Sequence, residues 1–211
     1  MKKATSFIAD GILAGFILSV SCAANMTAGA PLGAFLFSLG LFTIITFKLG
    51  LYTGKAGYMA TNPPSYIPEV VLTIVGNAAG SAIGGTLLRL TRFGADLTES
   101  ASKIMMTKAA DSILSVFVLA IFCGVLMFVA VDGSKRLNEA KNFVGALFIV
   151  VMPIFVFITC GFNHSIADMG YYFISGCTGG MAAIRYLIIA ILGNAVGCML
   201  IPFVKKLSLN P

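Results

Sequence analysis

From Phe143 to Phe162 the chain runs almost without a polar side chain, for about the 20 residues that one helix needs to cross the hydrocarbon of a bilayer. About six stretches of this kind follow one another with short connections between them. The 211 residues are 58% hydrophobic and only 10% charged, whereas an ordinary soluble domain is about a quarter charged. This composition predicts an all-α integral membrane protein, because a helix satisfies its own backbone groups where water is absent. It leaves no room for a separate soluble unit, so residues 1–211 read as one transmembrane domain.

In chain order, segment one spans about Ser6 to Ala24, with small residues at Gly11, Ala14, Gly15 and Ser19 that let helices approach closely. Segment two runs from Leu32 to Phe47 and breaks at Lys48-Leu49-Gly50-Leu51-Tyr52-Thr53-Gly54-Lys55. A turn at Asn62-Pro63-Pro64 precedes segment three, about Ile67 to Leu90. Gly94 to Lys108 is the most polar connection. Segment four, about Ala109 to Val131, ends at Asp132-Gly133-Ser134-Lys135-Arg136, and segment six runs from about Ala182 to Val204.

Segment five is interrupted. Asn163, His164, Ser165 and Asp168 arrive within six positions before Tyr171-Tyr172-Phe173-Ile174 resumes the apolar character, and His164 is the chain's only histidine. Irregular backbone at membrane depth is tolerated where protein or a water-filled cavity satisfies it, so the break predicts a lumen. The same order, a broken segment and then Gly-Asn-x-x-Gly, occurs at Lys48 to Lys55 with Gly76 to Gly80 and at Gly161 to Asp168 with Gly193 to Gly197. Three crossings per half would invert one half relative to the other and bring the two breaks face to face near the midplane.

The net charge of +6 comes from scattered residues with no run longer than two, which argues against nucleic acid. Lys2-Lys3, Lys135-Arg136, Lys141 and Lys205-Lys206 fall on one side of a six-span topology, which the positive-inside rule makes cytoplasmic, termini included. Arg89, Arg92, Lys103, Lys108 and Arg185 then lie outside. The five cysteines show neither a disulfide framework nor a zinc spacing. Lys2-Lys3 followed by apolar residues up to Cys22 superficially matches a lipoprotein signal, but Asp10 within its apolar core argues against cleavage. No nucleophile–base–acid set, phosphate loop or metal cluster is present, so neither an enzyme nor a cofactor is expected.

Phe37-Ser38-Leu39-Gly40-Leu41, Leu51-Tyr52-Thr53-Gly54, Gly76-Asn77-x-x-Gly80, Met152-Pro153 through Gly161-Phe162, His164-Ser165-Ile166-Ala167 and Gly193-Asn194-x-x-Gly197 together resemble the formate/nitrite transporter family. The resemblance covers about Ser6 to Val204 and is most specific at His-Ser-Ile-Ala. It implies an aquaporin-like protomer of six transmembrane helices, a 3+3 inverted repeat with helices two and five broken, in a homopentamer of the bacterial inner membrane with one pore per protomer. It also implies passage of small monovalent anions or their conjugate acids. It matches the family's central histidine to His164, its facing loop threonine to Thr53 and an outer lysine to Lys108, with hydrophobic constrictions at Phe37, Leu41, Leu51, Tyr52 and Phe157. The chain departs from the family at Gly50, Gly124, Asn163 and Asp168, and carries Lys48 close to Gly50.

Each candidate has a plainer reading. His164 is either a buried ring satisfied by a carbonyl or, as an ionisable group at depth, part of a pathway. Thr53 is a loop hydroxyl or a partner of His164. Lys108 is a solvated helix-end charge or an attractor of anions. Lys48 snorkels to an interface, pairs with an acid such as Asp168, or meets an anion, and Asn163 is a further candidate pore residue. An anion entering an apolar constriction is expected to take a proton, relayed through His164, and cross as the neutral acid, because burying an unpaired charge is far costlier than burying its neutral form. Hydrosulfide, lactate or ammonia are the alternative solutes, and a sensor without transport is the third reading.

Overall fold

A computed structural model describes residues 4–209, without the side chain of Leu209. The Lys2-Lys3 pair therefore lies outside the described residues. Regular structure among the described residues is helical throughout: α1 (Ala4–Ala28), α2 (Leu32–Thr46), α3 (Tyr52–Ala56), α4 (Ile67–Arg89), α5 (Gly94–Ala110), α6 (Ile113–Glu139), α7 (Phe143–Thr159), α8 (Ser165–Ile174) and α9 (Gly180–Leu209), with short 3₁₀ turns at Gly57–Ala60 and Pro64–Tyr66. Four helices, α1, α4 with the turn before it, α6 and α9, are long and apolar enough to cross a membrane. The apolar α2 and α7 are shorter, because each stops at a break and hands over to a second short helix, α3 or α8.

Large apolar side chains such as Leu39, Leu114, Phe148 and Leu200 point outward, and small or polar residues fill much of the interior. This inversion of the soluble pattern suits a lipid surround, where helices associate by close backbone approach rather than by apolar burial. The buried face of α1 is Gly11, Ala14, Gly15, Leu18, Ser19, Ser21 and Cys22, set against α4. A β-carbon added to Gly76 of α4 would stand 2.9 Å from the Gly11 α-carbon, closer than real β-carbons approach. The α6–α9 crossing is equally tight at Gly124 and Gly197.

Two stretches differ from the sequence expectation. The polar connection after α4 is a helix, α5, because Leu97, Ala101 and Met105 recur every fourth residue and bury one stripe. The fourth segment begins at Ile113 rather than Ala109 and continues past Asp132 to Glu139. Asp132 there accepts from Arg136 Nε at 2.5 Å one turn on, and from the Tyr58 hydroxyl at 3.2 Å, so two of the charges that suggested an end, Asp132 and Arg136, are partnered within the helix and across it.

Candidate translocation site

The two breaks are built alike. At the end of α2, Lys48 N–H donates to Ile45 O at 3.2 Å and Leu49 N–H to Ile44 O at 2.9 Å, with Lys48 left-handed at φ 53°. At the end of α7, Gly161 N–H donates to Ile158 O at 3.2 Å and Phe162 N–H to Phe157 O at 2.9 Å, with Gly161 at φ 69°. This paired closure satisfies carbonyls that a helix end leaves open. The chain then extends through Leu51 (φ −109°) and His164 (φ −101°) before α3 and α8 start.

Each extended strand is held by an asparagine from a neighbouring helix. Asn77 accepts from Tyr52 N–H at 2.9 Å and donates to Gly11 O at 2.9 Å and Gly50 O at 2.7 Å. Asn194 accepts from Ser165 N–H at 2.8 Å and donates to Ala120 O and Asn163 O, both at 2.8 Å. The Gly-Asn-x-x-Gly motifs signalled these residues as a repeat; their clamping role is visible only in three dimensions.

His164 caps α8, its Nδ1 accepting from Ala167 N–H at 3.0 Å. A backbone N–H only donates, so Nδ1 is unprotonated and the neutral ring carries its proton on Nε2. The Thr53 hydroxyl oxygen, 2.9 Å from Nε2, is then the acceptor. Phe157 stacks on the imidazole with centroids 5.4 Å apart, and Phe37 meets Phe157 edge-on at 5.7 Å. All four side chains are buried.

Two cavities approach this group. One of about 500 Å³ is walled by Asp10, Leu41, Lys48, Leu51, Lys55 and Lys135. The other, about 200 Å³, is walled by Asn25, Lys108, Phe157, Phe162, Asp168 and Tyr171. Asp10 and Asn25 are about 22 Å apart along α1 at 1.5 Å per residue, so the cavities enter from opposite ends. A file of contacts, Leu51 beside Thr53, then His164, then Phe157, stands between them.

Of the expected constriction residues, Leu41 and Leu51 wall the larger cavity, Phe157 the smaller, and Phe37 packs on Phe157. Tyr52 does not wall either cavity; its hydroxyl donates to Ile191 O at 2.7 Å and fastens α3 to α9. Lys48 does not pair with Asp168, because the two residues line cavities at opposite ends of α1. Nor is Lys108 a solvated helix-end charge. Its side chain is 17% exposed, and Nζ lies 2.9 Å from Asp168 Oδ1 and donates to Asn163 Oδ1 at 3.1 Å. Tyr186, which the sequence reading passed over, donates its hydroxyl proton to Asp168 Oδ2 at 2.5 Å. Also unforeseen is the ion pair of Lys55 with Glu69 beside the larger cavity. Gly124 lies in the α6–α9 crossing, where a β-carbon would meet Cys198 N at 2.9 Å, so no side chain fits there.

The sequence model of the formate/nitrite transporter family matches residues 1–206. Among solved structures, a pentameric formate channel with formate bound is 21% identical, with a TM-score of 0.78 over 98% of this chain and 97% of that one. A second, described as an FNT family ion channel, is 17% identical, with a TM-score of 0.80 over 99% of this chain and 90% of that one. No curated protein is a match.

Proposed function

The chain belongs to the formate/nitrite transporter family, and from that premise we propose that it passes small monovalent anions such as formate or nitrite, together with a proton, as the neutral acid through a pore centred on His164. The protomer is read as one domain of six spans, a 3+3 inverted repeat of aquaporin-like form. Support for the repeat comes from the matched helix closures and the matched asparagine clamps. A homopentamer in the bacterial inner membrane, with both termini cytoplasmic, completes the reading. One similar structure is a pentameric formate channel with formate bound.

The observation that carries the reading is the neutral His164 ring, proton on Nε2, held between Thr53 and Phe157 in the file of contacts that separates two cavities. An apolar file of Leu41, Leu51, Phe37 and Phe157 opposes a bare charge far more than its neutral acid. In place of Thr53, a solute oxygen reaching the ring would accept the Nε2 hydrogen bond. Full transfer of that proton to an anion would require Nδ1 to take another, and that would break the Ala167 N–H cap. The geometry therefore favours a proton that enters with the solute, with His164 Nε2–H donating a hydrogen bond to a solute oxygen. Asn163 orients the polar wall, and Lys48 and Lys135 place cations at the larger mouth beside Asp10 and Glu139, while Lys55 is engaged by Glu69.

Purified protein in liposomes, supplied with formate, acetate, lactate, nitrite and hydrosulfide at two pH values, tests this. Uptake of the small weak acids should rise as pH falls, and His164→Phe should abolish it. Uptake that is indifferent to pH, or unchanged in His164→Phe, would sink the proposal.

A further inference from the structure

Among the described residues lining the smaller cavity, Lys108 is the one cation and Asp168 the one acid. An ammonium has three donor hydrogens and no acceptor. Three oxygens surround Lys108 Nζ: Asp168 Oδ1 at 2.9 Å, Asn163 Oδ1 at 3.1 Å and the Tyr186 hydroxyl at 3.4 Å. The Tyr186 hydroxyl proton goes to Asp168 Oδ2, so its lone pairs are what face the ammonium. The polar ring is thus closed on itself. The carboxylate is 2% exposed and cannot swing into water. An anion arriving here meets no spare donor on Lys108 and no net positive charge. To bind, it must displace a carboxylate in a site of low dielectric, where opposite charges hold strongly.

We propose that Asp168 sets the charge selectivity of this mouth: by engaging the Lys108 ammonium it keeps the smaller cavity electrically neutral, so that the mouth admits the uncharged acid in preference to the free anion. The inference rests on the transport reading above and assigns one residue the control of its substrate form. Asp168 is a specificity residue that acts through Lys108. Without its charge, the same lysine would become an anion-binding site.

The test is a charge cycle of Asp168→Asn, Lys108→Gln and the double variant, with formate uptake into liposomes measured against concentration at fixed pH. Asp168→Asn keeps an amide oxygen toward Lys108 and should lower KM for formate about tenfold, with the gain erased by salt. Lys108→Gln leaves a bare carboxylate and should raise KM. The double variant restores neutrality and should return to within about twofold of the starting protein. A merely structural Asp168 would lower the maximal rate in both variants that lack it, with no fall in KM, and that result overturns the proposal. Should Asp168→Asn fail to fold, the comparison of Lys108→Gln with the double variant decides: recovery in the double supports the proposal, and no recovery overturns it. Calorimetric titration of formate into the detergent-solubilised proteins reads the same order of affinities without transport. A starting protein that carries no formate would defeat the transport reading, while the binding order would still decide the role of Asp168.

Discussion

Asn77 and Asn194 perform the same task in different halves of the chain: each accepts one backbone N–H at the start of a short helix and donates to two backbone carbonyls, one of them in the break just before it. Both are fully buried. Replacing either by Ala leaves three buried backbone groups without this partner, at about 1–3 kcal/mol for each group left unmet. In each variant one of these carbonyls, Gly11 O or Ala120 O, lies within a helix and keeps a bond there. A net loss of about 2–6 kcal/mol is therefore expected for each variant, read as a lower unfolding midpoint in detergent. Asp at either site keeps the acceptor and should fall between Ala and Asn.

The single histidine makes the tautomer directly measurable, since one labelled residue gives one pair of ring nitrogen signals. With Nδ1 accepting from Ala167 N–H, the expected spectrum at neutral pH has an unprotonated Nδ1 and a protonated Nε2. Thr53→Val should shift only the Nε2 signal, because it removes the oxygen 2.9 Å from that atom. A protonated Nδ1 would contradict the cap and with it the argument that the proton arrives with the solute.

Lys48 and Gly161 hold the same left-handed place in the two breaks, at φ 53° and 69°. An L side chain there costs roughly 1–2 kcal/mol that glycine does not. Lys48→Gly should therefore stabilise the fold by about 1 kcal/mol, and Gly161→Ala should weaken it by a similar amount. Nothing lies within 4 Å of a β-carbon built on Gly161, so the effect there is conformational rather than steric. Because Lys48 also lines the larger cavity, Lys48→Gly should slow anion entry from that end even as it raises stability.

At Gly124 the sign is the reverse of a helix-propensity argument. Alanine is the better helix former, but its β-carbon would stand 3.0 Å from the Gly197 α-carbon and still closer to Asn194 O. Gly124→Ala should destabilise by about 1–3 kcal/mol through the α6–α9 contact, again read from the unfolding midpoint.

Much of the helical frame was legible in order along the chain, because hydrocarbon demands a fixed length of apolar residues and allows irregular backbone only where something satisfies it. The break at His164 and the break at Lys48 to Lys55 could be read from that rule, and the Gly-Asn-x-x-Gly pair from its repeated place after each break. The stripe Leu97, Ala101, Met105 went unread, because the polar residues around it hid the helix. The extension of α6 past Asp132 was hidden for a different reason: its charged residues find partners at Arg136 and Tyr58, and the second of these lies 74 positions away.

What the sequence by itself determined was therefore the membrane setting, the order of the apolar helices and the positions of the two interruptions, all consequences of hydropathy along a line. Tertiary structure alone decided which groups meet: that Lys108 is bound to Asp168, that Tyr52 turns to α9, and that the proton of His164 sits on Nε2. The reason is physical. Solvation is a property each residue carries with it, whereas hydrogen bonds and ion pairs depend on distances of about 3 Å between atoms that the chain brings together from remote positions.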